Sequence, residues 1–138
     1  MGNLELTLNQ LEGRWPDPPE YPSHLVEMCH KLRRKPLKDF TVEDLRIMIG
    51  QNIGLKYLVP LAVDRLEAEP LVEGDYYPGD LLKSVLSVEA AFWKTHAELH
   101  RRVAHSAGRA MRWAKEQDED QDLGKWLSES ILRFMGRA

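Results

Sequence analysis

The chain has 138 residues, 43% of them apolar and 30% charged, with a net charge of −3 and an isoelectric point near 6.0. That length suits one domain with its own core, and the apolar share is too high for a disordered chain. The mild acidity argues against a dedicated nucleic-acid binder, and the single cysteine, Cys29, excludes an internal disulfide.

The N-terminus carries no basic segment followed by an apolar run, so no secretory signal is read there. Leu4, Leu8 and Leu11 recur at helical spacing and predict one or two turns over residues 4–12. The stretch Trp15-Pro16-Asp17-Pro18-Pro19-Glu20-Tyr21-Pro22 then forbids a helix and predicts an extended connector, with Trp15 and Tyr21 pinning it to the body. Residues 1–22 therefore read as a proline-rich N-terminal arm. Ser23 caps a helix bearing Leu25, Cys29 and Leu32, which must end before Pro36. Thr41-Val42-Glu43-Asp44 starts the next helix, with Asp44 in the place where a capping box usually has Glu.

Val42, Leu45, Met48 and Ile49 form the apolar stripe of that helix, and Gly50 and Gly54 bracket a turn after it. Leu55, Leu58, Val59, Ala62, Val63 and Leu66 predict a further helix, which Pro60 either kinks or begins. Glu73-Gly74-Asp75-Tyr76-Tyr77-Pro78-Gly79-Asp80 reads as a loop, with Asp80 as the cap of a short apolar turn over 81–86. One long helix is predicted over 88–115, with Gly108 as its weak point. Residues 116–122 hold five acidic side chains and read as a solvated connector. Leu123, Trp126, Leu127, Ile131 and Phe134 predict a last helix running to Gly136. No alternating β-branched run and no membrane-length apolar run occurs. The expected fold is all-α: a single-domain irregular bundle of about six helices spanning 1–138. The expected location is the cytoplasm.

Residues able to carry chemistry are few. No phosphate loop, nucleophile elbow, paired-cysteine signature or His-Glu-x-x-His motif is present. His96 and His100 are four apart and can face one way, as metal ligands or as surface histidines; His105 lies roughly 140° further round and cannot complete a site. Cys29 and His30 are adjacent and diverge on a helix, so Cys29 reads as a small buried hydrophobe. The run His30-Lys31-Leu32-Arg33-Arg34-Lys35-Pro36-Leu37-Lys38 either touches phosphates or simply ends a helix with dipole-compatible charge. Arg33 or Arg34 can also pair internally with Asp39, Glu43 or Asp44. Glu73, Asp75 and Asp80 surround Tyr76 and Tyr77, a combination suited to a basic protein surface and equally to a turn whose tyrosines cover the core. Asp118, Glu119 and Asp120, with Glu116 and Asp122, form a second acidic patch or a solvated face. No enzyme, cofactor, metal or small-molecule substrate is expected.

Three segments together resemble a known family. Leu45-Arg46-Ile47-Met48-Ile49-Gly50-Gln51-Asn52-Ile53-Gly54-Leu55 is preceded by Cys29-His30-Lys31-Leu32-Arg33-Arg34-Lys35-Pro36-Leu37 and followed by Glu73-Gly74-Asp75-Tyr76-Tyr77-Pro78-Gly79-Asp80-Leu81-Leu82. This pattern, over about residues 24–93, resembles contact-dependent growth inhibition (CDI) immunity proteins. The resemblance implies a chain that binds the C-terminal toxin domain of its own CDI effector, one to one, in the bacterial cytoplasm. The toxins of such systems are often nucleases, and charge complementarity to a basic nuclease surface selects Glu73, Asp75, Tyr76, Tyr77 and Asp80 as contact residues, with Asp118, Glu119 and Asp120 second. The alternative is a nucleic-acid-binding regulator using residues 30–38.

Overall fold

The computed structural model describes residues 2–117 and 121–137. Every regular element in them is helical. The α-helices are α1 (Leu8–Glu12), α2 (His24–Leu32), α3 (Val42–Gly50), α4 (Leu55–Ala68), α5 (Asp80–Leu86), α6 (Ala90–Lys94), α7 (Ala97–Gln117) and α8 (Gln121–Met135). Two 3₁₀ turns, Gly2–Glu5 and Leu37–Asp39, flank the N-terminal part. The helices number eight rather than about six because α1 and α6, five residues each, stand as separate elements. Among the described residues no helix is long and apolar enough to cross a membrane.

The caps form as their chemistry dictates. The Ser23 hydroxyl accepts from the Val26 N–H, and Thr41 accepts from Asp44 N–H while the Asp44 carboxylate accepts from Thr41 N–H at 3.1 Å. Asp44 therefore completes the capping box despite its shorter side chain. Asn52 and Gly54 take the left-handed conformation in the turn between α3 and α4. Gly54 suits that place twice over, because a Cβ there would also lie 2.8 Å from Leu8. Pro60 sits inside α4, where the Lys56 carbonyl loses its helical donor.

One buried cluster joins the helices. Leu45, Met48 and Ile49 of α3 meet Leu81, Leu82 and Val85 of α5, and α4 adds Leu58, Val59 and Leu66. α7 lies across α4 and α8, presenting the small residues Ala107, Ala110 and Ala114 so that the helices can approach closely. Each leucine buried from a fully exposed state contributes about 1.5–3 kcal/mol.

The predicted single helix over 88–115 is broken, and not at Gly108. α6 ends at Lys94 and α7 begins at Ala97. The reason is local: the Thr95 hydroxyl and the His96 Nδ1 both bond the Phe92 carbonyl, at 3.2 and 2.8 Å, in competition with a continuing backbone ladder. Gly108 lies uninterrupted within α7.

The proline-rich arm is tied down by one buried cation. Arg33, 2% exposed, donates to Asn9 Oδ1 at 2.9 Å, Glu12 Oε1 at 3.1 Å and the Gly13 carbonyl at 2.8 Å. Trp15 lies under its guanidinium at 4.4 Å, and both Trp15 and Tyr21 set ring edges against His30. The two aromatics thus pin the connector as its sequence suggests.

Candidate protein-binding surface

The segment between α4 and α5 is a loop folded back on itself. Gly79 donates its N–H to the Leu71 carbonyl at 3.1 Å, and Glu73 and Pro78 form an isolated bridge. Gly79, at φ 89°, occupies the cap position of α5 and supplies no side chain.

Asp80 is the organiser of this loop. Its carboxylate is turned back from the first turn of α5 and accepts from Gly74 N–H at 2.7 Å and Tyr76 N–H at 3.1 Å. It is 2% exposed. The expectation that Asp80 caps the helix is therefore corrected: Gly79 takes the cap position. In this structure the Asp80 carboxylate is buried and taken up by loop amides.

A second carboxylate arrives from α3. Glu43 accepts from Asp75 N–H at 3.0 Å and takes both ends of the Arg46 guanidinium at 2.6 Å. The Arg46 bonds, with the Asp75 amide adding to them against the opposing effect of burial, hold the Glu43 carboxyl below the usual range near 4.5. Between the two carboxylates Gly74 has no room for a side chain: a Cβ would lie 2.7 Å from Glu43 Oε1 and 3.1 Å from Asp80. Arg46 then carries the Tyr76 ring at 4.5 Å.

The result is a braced ridge. Tyr76 is 69% exposed at its crest. On one side lies a groove of about 700 Å³ between α2 and α3, lined by Leu25, Met28, Glu43, Ile47 and Asp75. On the other lies a smaller concavity of about 270 Å³ with Lys83, Ser84 and Ser87. Tyr77 turns away and sets its ring edge against Trp126 of α8 at 5.9 Å. Glu73, Asp75, Tyr76 and Tyr77 are thus brought together at the surface, with Asp80 beneath them.

The remaining candidates fall elsewhere. Glu116 and Asp122 are exposed at the facing ends of α7 and α8, while Asp118, Glu119 and Asp120 lie outside the described residues. His96 stacks on Phe92 at 4.0 Å, and His100, buried, stacks on Phe134 at 4.0 Å with Nε2 3.0 Å from the Phe134 carbonyl. Both rings therefore serve the fold. Among the described residues no group of three or more His, Cys, Asp or Glu is placed to hold a metal ion. Cys29 is buried, and burial pushes its thiol up.

The basic run is neutralised from within. Lys31 pairs with Glu27, Arg33 with Glu12, Arg34 with Asp17, Lys35 with Asp44 and Lys38 with Glu5. Asp39 and Glu43, considered as partners for Arg33 or Arg34, do not take them. Through these pairs the run ties the arm and α3 to the body of the fold.

Sequence reasoning did not place Glu43 and Arg46 at this surface. Their three-residue spacing is visible in the sequence, but the bond from Glu43 to Asp75 joins positions 32 apart. The family model that matches this chain, over residues 10–103, is described as CDI immunity proteins. No curated protein matches it. The matched stretch includes the whole of the ridge and both carboxylates that brace it.

Proposed function

The chain belongs to the CDI immunity protein family, and from that premise we propose that it binds the C-terminal toxin domain of its own CDI effector through the ridge at residues 73–77 and thereby neutralises it. The observation that carries the site is the crest itself: a tyrosine 69% exposed, yet held on the Arg46 guanidinium. An exposed aromatic that is already fixed loses little entropy on contact and supplies a large contact area. Glu73 and Asp75 flank it with exposed carboxylates. Together with the net charge of −3 they suit a basic partner, such as a nuclease domain, which they would steer into place. The reading makes the chain a non-enzymatic inhibitor acting one to one in the bacterial cytoplasm.

The test is co-purification with the toxin domain encoded beside the gene, followed by titration of two variants. Tyr76→Ala and Asp75→Lys should each weaken the complex by roughly 10-fold or more, as central anchors do. Their melting curves should match the parent's. A complex that forms with undiminished affinity in both variants would remove the ridge from the interface.

A further inference from the structure

Beyond the two concavities beside the ridge, the chain leaves a further cleft of about 380 Å³ between the 69–78 segment and α7. Its walls are Pro70, Leu71, Pro78 and Trp113. Trp113, the largest apolar side chain on α7, is 51% exposed. Glu69 and Glu73 also line the cleft. Both are exposed, and among the described residues neither carboxylate takes a side-chain hydrogen bond or ion pair. Arg109 sits at the same cleft but donates to the Glu67 carbonyl at 2.7 Å, toward the end of α4. Two carboxylates against one anchored guanidinium leave the cleft net negative.

Resting on the toxin-binding reading, we infer that this cleft receives an arginine side chain of the partner protein. An arginine matches both halves of the cleft. Its planar guanidinium stacks on an indole face, the best aromatic surface for a cation. Its methylene stem suits the proline and leucine walls. The carboxylates of Glu69 and Glu73 offer acceptors to a fork of N–H donors. A purely apolar side chain would leave those two carboxylates facing a desolvated wall with no partner, which is costly. Glu73 lines the cleft and also flanks the ridge, so one partner surface can engage both.

The test uses the toxin domain encoded by the neighbouring gene and the full chain. Trp113→Ala should weaken the complex roughly 10-fold or more, since the indole is the stacking surface. The double variant Glu69→Gln, Glu73→Gln should weaken it as well and flatten the dependence of affinity on salt. All the altered side chains are exposed, so melting curves should stay unchanged. A double-mutant cycle between Trp113→Ala and alanine variants of the toxin's surface arginines should show coupling to one of them. If the parent complex forms but both variants bind as tightly and with the same salt dependence, the cleft is not used. Coupling of Trp113 to an apolar toxin residue would overturn the arginine assignment. Absence of any parent complex would overturn the toxin-binding reading itself, a result distinct from the other two.

Discussion

Replacing Asp80 by alanine tests the architecture of the ridge more directly than any surface change. The carboxylate accepts from two loop amides, Gly74 N–H at 2.7 Å and Tyr76 N–H at 3.1 Å, with Tyr77 N–H at the margin, 3.5 Å. A hydrogen bond to a charged group contributes about 1.5–3 kcal/mol when fully buried. The loop is only half buried, so water can reach part of what alanine exposes, and about 1–2 kcal/mol for each of the two shorter bonds is reasonable. The expected loss is about 2–4 kcal/mol. An unfolding entropy of about 2.1 cal/mol/K per residue, over 138 residues, gives roughly 0.29 kcal/mol/K. The melting temperature should therefore fall by roughly 7–14 °C, read by circular dichroism. Toxin binding should weaken too, although the Asp80 carboxylate is buried, because Tyr76 would lose its fixed position. Asp75→Lys supplies the contrast: its side chain is exposed, so binding should change while the melting curve does not. A D80A variant that melts with the parent and binds with it would refute the assignment of Asp80 as organiser.

Other expectations follow from buried or paired groups. Arg33→Ala removes a cation that holds Asn9, Glu12 and Gly13 together; breaking such a buried pair costs about 3 kcal/mol or more, and limited proteolysis should then cut first within residues 13–22. His100→Ala opens a void between Trp93 and Phe134 and removes the bond to the Phe134 carbonyl; a loss of about 2–4 kcal/mol is expected, with hydrogen exchange rising first at the C-terminal end of α8. The pH dependence of stability should carry the signature of Glu43. Its folded value is depressed, so its contribution is complete above the unfolded value near 4.5 and is lost as pH falls below it through the folded value. Melting temperatures measured from pH 6 down to pH 3 should fall less steeply in Glu43→Gln than in the parent; equal slopes would show that the Arg46 and Asp75 bonds are not made in solution.

The helices and their caps are legible in the sequence because they depend on neighbours within four positions. Ser23 and Thr41 do what a hydroxyl before an apolar stripe does, and the Thr41–Asp44 box closes even with the shorter acid. The break at Thr95 and His96 was not legible from apolar periodicity, which runs straight across it. It arises from two polar side chains reaching one carbonyl, a competition that a hydrophobic pattern does not register. Asp80 was misread for a related reason. An acid before an apolar turn is a good cap by local rules, but here Gly79 takes the cap position and the carboxylate closes the loop instead. The basic run shows the limit on longer range. Internal pairing was open for Arg33 and Arg34, but the partners they and Lys38 take, Glu12, Asp17 and Glu5, lie in an arm whose return path the sequence does not disclose. Trp113 is the opposite case: its exposure is set by the 69–78 segment, which walls a cleft without covering it.

An inhibitor of this size can bind tightly only if its surface is ordered before contact, because each side chain fixed at an interface costs about 0.5–1.5 kcal/mol. The ridge meets that condition through its bracing. Its two carboxylates come from α3 and α5, helices packed against each other through the core, so the loop inherits their rigidity. Gly74 belongs to the same device, since only a residue without a Cβ lets both carboxylates close on one turn. The toxin-binding reading assigns encounter to charge at the rim, and residence to Tyr76 and the cleft at Trp113. The two contributions are separable: an Asp75 change should act mainly on the association rate, and Tyr76 or Trp113 changes mainly on the dissociation rate. The family match ends at residue 103, so Trp113 lies beyond it, while the braced loop lies within. Changes at Trp113 would therefore alter the fit to a particular partner and leave the matched scaffold, with its bracing carboxylates, as it is.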